Sequence, residues 1–200
     1  FSIKDLLVQA QKEYQQVSWK HSPEEFLKAL SDFFKQRLKA YFSAEGYNTR
    51  VVEAALGAGI DDIWSFRERL KSLHRFSQED DFEQAVLTFK RAANIIRKQG
   101  DQAEQVLDGN YKTALLQEAQ EKKLAEALEE IGPRWDRLWS EEGFDQLFAL
   151  LRELRPLVDA FFDHVMVMSE EPNLRLNRLN LLKSLVDRLF LLADFNALQI

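Results

Sequence analysis

The chain has 200 residues, of which 46% are hydrophobic and 12% aromatic, enough to bury a core without staples and too apolar for a disordered tail. Cys is absent, which excludes disulfides, thiolate metal sites and cysteine nucleophiles and leads us to expect a reducing, cytoplasmic setting. Seven Gly and four Pro are too few for an all-β chain, and a net charge of −6 argues, taken as an average, against nucleic acid and anionic membranes.

The sequence begins Phe1-Ser2-Ile3-Lys4-Asp5, without the basic and apolar regions of a signal peptide, and reads as a piece of a longer protein. A first helix is expected from about Ile3 to Gln16, and residues 1–21 read as a linker helix or the tail of a preceding domain. Ser22-Pro23-Glu24-Glu25 then combines a Ser N-cap, Pro at the first helical position and a capping-box Glu, so a helix starts there and runs through Phe26, Leu30, Phe34 and Leu38 to Gly46. Asn48-Thr49 introduces a short helix closed by Gly57 and Gly59, and Asp61-Asp62 opens another with Ile63, Phe66, Leu70 and Leu73 inward. Ser77-Gln78-Glu79-Asp80 reads as a second capping box, starting a helix through Phe82, Val86, Phe89, Ala93 and Ile96 to Gly100.

Residues 101–110, with Asp108-Gly109-Asn110, are the best loop or hinge. A helix from Leu115 is expected to stop at Gly132-Pro133, followed by a short Arg134–Trp139 piece. Gly143 to Leu154 restarts a helix that Pro156 either kinks or replaces with a new one, ending before Pro172. The final helix, Leu174 to Ala193, is the most apolar. No stretch alternates with period two for long enough to form a strand, and no apolar run approaches the 20 or so residues of a membrane span. The fold class is therefore all-α, an antiparallel helical bundle, with 22–200 as one helical domain.

Catalytic constellations are missing from the sequence. Three His, at positions 21, 74 and 164, lie far apart without metal-ligand spacing, so no metal and no catalytic residue is assigned. Asp159 and Asp163 beside His164 read as a solvated or Arg-paired helix face, Gly57-Ala58-Gly59 as two helix ends meeting, and the Met166 and Met168 pair as core.

Charge is unevenly spread. Residues 1–100 hold sixteen Lys and Arg against fourteen Asp and Glu, whereas residues 101–200 hold eleven against nineteen. No acidic residue occurs from Gln84 to Gly100, where Lys90, Arg91, Asn94 and Lys98 share one helical side and Phe89, Ala93 and Ile96 the other. Such cations suit phosphates and such an amide suits a base edge. Arg37 with Tyr41, and Arg67 with Lys71, are four-residue neighbours that would enlarge the patch, and Arg175, Arg178 and Lys183 would form a smaller one on the last helix.

The C-terminal stretch Leu157-Val-Asp-Ala-Phe-Phe-Asp-His-Val-Met-Val-Met168, with Leu174-Arg-Leu-Asn-Arg-Leu-Asn-Leu-Leu182 and Leu189-Phe-Leu-Leu-Ala-Asp194, resembles the end of the beta subunit of bacterial glycyl-tRNA synthetase. Phe89-Lys-Arg-Ala-Ala-Asn-Ile-Ile96, Phe66 to Leu73 and Arg37 to Leu56 resemble it in the same order, so the likeness covers nearly the whole chain. The resemblance implies a C-terminal, DALR-type anticodon-binding domain, although the namesake letters here read Asp145-Gln-Leu-Phe148. It further implies a non-catalytic, cofactor-free chain that recognises glycine tRNA. The parent enzyme's ATP- and Mg-dependent chemistry would reside in an alpha subunit, met through the full-length beta subunit and without a membrane. Expected RNA-binding residues are Arg91 and Asn94 nearest the bases, with Lys90, Arg97, Lys98, Arg37, Arg67 and Lys71 on the backbone or loop and Tyr41 beside Arg37. The alternative is a helical protein–protein interaction scaffold whose basic clusters are solvated faces.

Overall fold

Local capping sets most of the helix starts. In the computed structural model, which describes residues 2–14, 22–100 and 106–198, Glu25 N–H donates to Ser22 Oγ at 3.2 Å and Ser22 N–H to Glu25 Oε2 at 2.9 Å. That reciprocal pair satisfies two donors that helix geometry would otherwise leave open. Among the described residues eight α-helices follow in chain order: α1 Ile3–Glu13, α2 Pro23–Ala44, α3 Thr49–Gly57, α4 Ile63–Phe76, α5 Phe82–Gly100, α6 Ala119–Ser140, α7 Phe144–His164 and α8 Pro172–Leu192, with a 3-10 turn at Thr113–Leu115 before α6. Asn48 and Asp62 cap α3 and α4 through side-chain oxygens. The helices α6 and α7 form the most extensive pair, α4 and α5 each pack on α7, and α5 also packs on α8. The result is an all-α bundle. The expected continuation of the first helix to Gln16, His21 and residues 101–105 lie outside the described residues.

Four expectations are corrected by packing. Ser77 does not start α5: its N–H donates to Leu73 O at 2.9 Å and its Oγ to His74 O at 2.7 Å, which makes it the C-cap of α4. Residues 77–81 turn there because Phe76 is held between Phe82 and the stacked ring of Phe148, 5.2 Å away. Gly132-Pro133 does not stop α6, which runs unbroken to Ser140. A proline disfavours helix for the residue before it through clashes with that residue's N–H and Cβ, and Gly132 lacks the Cβ. Burial of Ile131, Trp135 and Leu138 along one face offsets the hydrogen bond that Pro133 cannot donate. Met166 and Met168 are not core, being 72% and 45% exposed while Val165 and Val167 are buried. The residues between α7 and α8 alternate in and out, and α7 ends at His164, earlier than the approach to Pro172. Lastly, Arg175, Arg178 and Lys183 form no patch: Arg178 is buried against Glu121, Lys183 pairs with Asp187, and Arg175 Nη1 donates to Ser169 O. Pro156 leaves α7 continuous.

Helix α8 is buried around most of its circumference, and its polar residues tie down neighbours. Asn180 Oδ1 accepts from the N–H groups of Asp108 and Gly109, and Asn177 exchanges two hydrogen bonds with the backbone of Lys112. Gly109 sits at φ +79°, a left-handed turn that favours glycine. Past α8, Asp194 N–H donates to Ala54 O at 2.8 Å and Phe195 packs edge-on against Phe89. This tail passes so close to α3 that a Cβ at Gly57 would lie 2.5 Å from Asp194 Cβ. Arg69 closes the same region from α4, donating to the carbonyls of Ala55, Leu192 and Gly59. Burial lowers its pKa to about 10, so it is still charged at neutral pH.

Candidate nucleic-acid interface

Helix α5 presents its cations on one side because its apolar positions are taken by the core. Phe89 and Ala92 are fully buried, and Ala93 and Ile96 nearly so, which leaves Lys90, Arg91, Asn94, Arg97 and Lys98 on the opposite, partly or fully exposed stripe. No carboxylate among the described residues pairs with these four cations. Their own contacts differ. Lys90 Nζ donates to Leu198 O at 2.8 Å and so anchors the tail. Arg97 donates to Asn94 Oδ1 at 3.0 Å, which leaves the Asn94 amide N–H groups directed elsewhere. Arg91 lies over the Phe162 ring of α7, 4.3 Å from its centroid, a stacked cation and aromatic of the type that receives bases.

The remaining expected residues stand on other helices. On α2, Arg37 lies 5.3 Å over the exposed Phe33, and Tyr41 is 58% exposed. On α4, Arg67 lies over Trp64 and 3.7 Å from Glu68, while Lys71 donates to that same carboxylate at 2.7 Å. Arg75, also on α4, makes a two-pronged ion pair with Asp145, and Lys39 is paired with Glu53. Because α2 packs on α1 and α3, α4 on α3 and α7, and α5 on α7 and α8, the nine residues occupy three helices, with five of them on the α5 stripe.

Beside Arg91 the structure forms a cleft of about 420 Å³, lined by Arg91 and Ile95 of α5, by Phe162, Asp163 and His164 at the end of α7, and by Val165–Met168. The sequence pattern alone places Asp163 and His164 on a solvated or Arg-paired helix face and Met166 and Met168 in the core. The signal that marks them is the Val-Met-Val-Met alternation after the helix, which sends both methionines outward. His164 Nδ1 lies 2.9 Å from Ala160 O. A carbonyl can only accept, so Nδ1 carries a proton. Asp163 is exposed and makes no ion pair among the described residues.

The strap carrying the methionines is fixed from beneath. Arg178 Nη1 donates to Met166 O at 2.9 Å, and its Nε and Nη2 donate to Glu121 at 2.7 and 3.0 Å. Burial pushes the Glu121 carboxyl up, but hydrogen bonds from Arg178 and from the Glu118 and Gln117 N–H groups outweigh it and hold the pKa below the ordinary glutamate value. No three His, Asp or Glu side chains converge as metal ligands among the described residues, and no helix there is long and apolar enough to cross a membrane.

Comparison with known proteins agrees with this architecture. The DALR anticodon binding domain family matches residues 86–192, from early in α5 to the end of α8. Over 199 residues, all of this chain, there is 53% identity to 29% of the glycine–tRNA ligase beta subunit of Oleidesulfovibrio alaskensis. The beta subunit of Nitratidesulfovibrio vulgaris is 53% identical over 98% of this chain and 28% of its own length, and that of Lawsonia intracellularis 42% identical over 100% and 28%. The chain thus spans under a third of the length of these relatives.

Proposed function

Because the chain belongs to the DALR anticodon binding domain family, we propose that it binds the anticodon loop of glycine tRNA as part of a glycine–tRNA ligase beta subunit in the cytoplasm. The observation that carries this reading is the α5 stripe, a row of cations with no carboxylate partner among the described residues, in a chain whose net charge is −6. Loop phosphates would meet Arg97, Lys98 and, farther out, Arg37 beside Tyr41, and unpaired bases would meet Arg91 and Asn94, whereas Arg67 and Lys71, which share Glu68, would carry no phosphate contact. The chain itself performs no chemistry. Aminoacylation, with ATP and Mg²⁺, belongs to the separate alpha subunit that the complete beta subunit would meet.

Titration of the chain with the anticodon stem–loop of glycine tRNA over a salt series tests this. Three phosphate contacts on unpaired RNA give a slope of log K against log salt of about −2. Absent or salt-indifferent binding would instead favour a helical scaffold for protein partners.

A further inference from the structure

We propose that the cleft between α5 and the Val165–Met168 strap is a nucleobase subsite, taking one unpaired base with an exocyclic amino group. This rests on the RNA reading above and assigns a chemistry to part of that surface. The floor of the cleft is built: Val165 and Val167 are buried, and Arg178 holds the Met166 carbonyl while itself gripped by the fully buried Glu121. Met166 and Met168 are therefore displayed by a fixed backbone. Two exposed thioethers, the Arg91–Phe162 pair and Ile95 offer a flat, polarisable lining to a π-face.

The polar rim suits a base better than a phosphate. Asp163 would repel a phosphate, and its carboxylate oxygens present acceptors. Acceptors pair with amino donors, which guanine, cytosine and adenine carry and uracil lacks; guanine can offer a carboxylate two adjacent N–H groups. A volume of about 420 Å³ falls within the range of small-molecule sites, about 300–1,000 Å³. The base would be held by stacking and edge contacts, while the phosphates on either side lie toward Arg97 and Lys98.

The chain has two methionines, both at this cleft, so methyl-¹³C-methionine labelling places two probes on it. On adding the glycine anticodon stem–loop, both methyl signals should shift through ring currents. Met166→Ala should weaken binding about fivefold with an unchanged salt slope, since no phosphate contact is lost. Replacing loop bases one at a time with uracil should cost about tenfold at one position for the native chain and under twofold for Asp163→Asn. A hairpin that binds while both methyls stay still and both variants behave as native overturns the subsite and leaves the RNA reading standing. A hairpin that fails to bind at low salt overturns both.

Discussion

Helices α4 and α5 each carry a cluster of cations, but they use the charge in opposite ways. On α4, Arg69 is buried among three carbonyls, Lys71 and Arg67 share Glu68, and Arg75 grips Asp145. On α5, no described carboxylate meets Lys90, Arg91, Arg97 or Lys98. The difference follows from neighbours. Helix α4 has Glu68 one turn from Lys71 and faces the acidic start of α7, whereas α5 has no acid after Glu83 and packs its apolar side on α7 and α8. Basic composition alone therefore does not mark a binding face; a cation is available to a polyanion only where the fold supplies no closer partner.

Buried charge gives the largest expected effects. Glu121→Gln leaves Arg178 buried without its counter-charge and should cost about 3–5 kcal/mol. Since the folded Glu121 pKa lies below its ordinary value of 4.5, the stability it confers is complete above about pH 4.5 and is lost as pH falls through the lowered value. Thermal midpoints from pH 3 to 7 should show an acid limb that is shallower in Glu121→Gln. On α4, Arg69→Met leaves the carbonyls of Ala55, Gly59 and Leu192 without their donor. We expect a loss of about 3 kcal/mol, or about 6–12 °C by calorimetry; an unchanged midpoint would break the assignment of α4 charge to structure.

Smaller effects sharpen the contrast. Arg97→Ala with Lys98→Ala should weaken anticodon stem–loop binding about tenfold, with a melting temperature within about 2 °C of native. Lys90 is a poor partner in such a variant because its bond to Leu198 O makes part of any loss structural. Arg75→Ala removes an exposed pair with Asp145 and should cost under about 1 kcal/mol, read by urea midpoint, with RNA affinity unchanged.

The parts of this fold that were legible in the sequence are those decided within a few residues. Ser22, Asn48 and Asp62 cap their helices because an N-cap needs only its own first turn. The α5 stripe was legible for the same reason, since a 3.6-residue period and a run without acids are local properties. Where distant residues decide, the local signal misleads. Ser77 and Gly132-Pro133 carry correct start and stop chemistry, yet the Phe76–Phe148 stack and the buried α6 face override it. The cleft was invisible because it joins Arg91 to Phe162 and because two methionines, ordinarily core residues, point outward over buried valines.

The most direct test compares salt slopes. Binding of the anticodon stem–loop should be measured from low to moderate salt for the native chain, for Arg97→Ala/Lys98→Ala on α5 and for Arg67→Ala/Lys71→Ala on α4. The α5 variant should flatten the slope by about 1.4, the value for two lost phosphate contacts on unpaired RNA, while the α4 variant keeps the native slope. Equal flattening by both variants, or flattening by α4 alone, would contradict the assignment of the RNA-facing charge to α5.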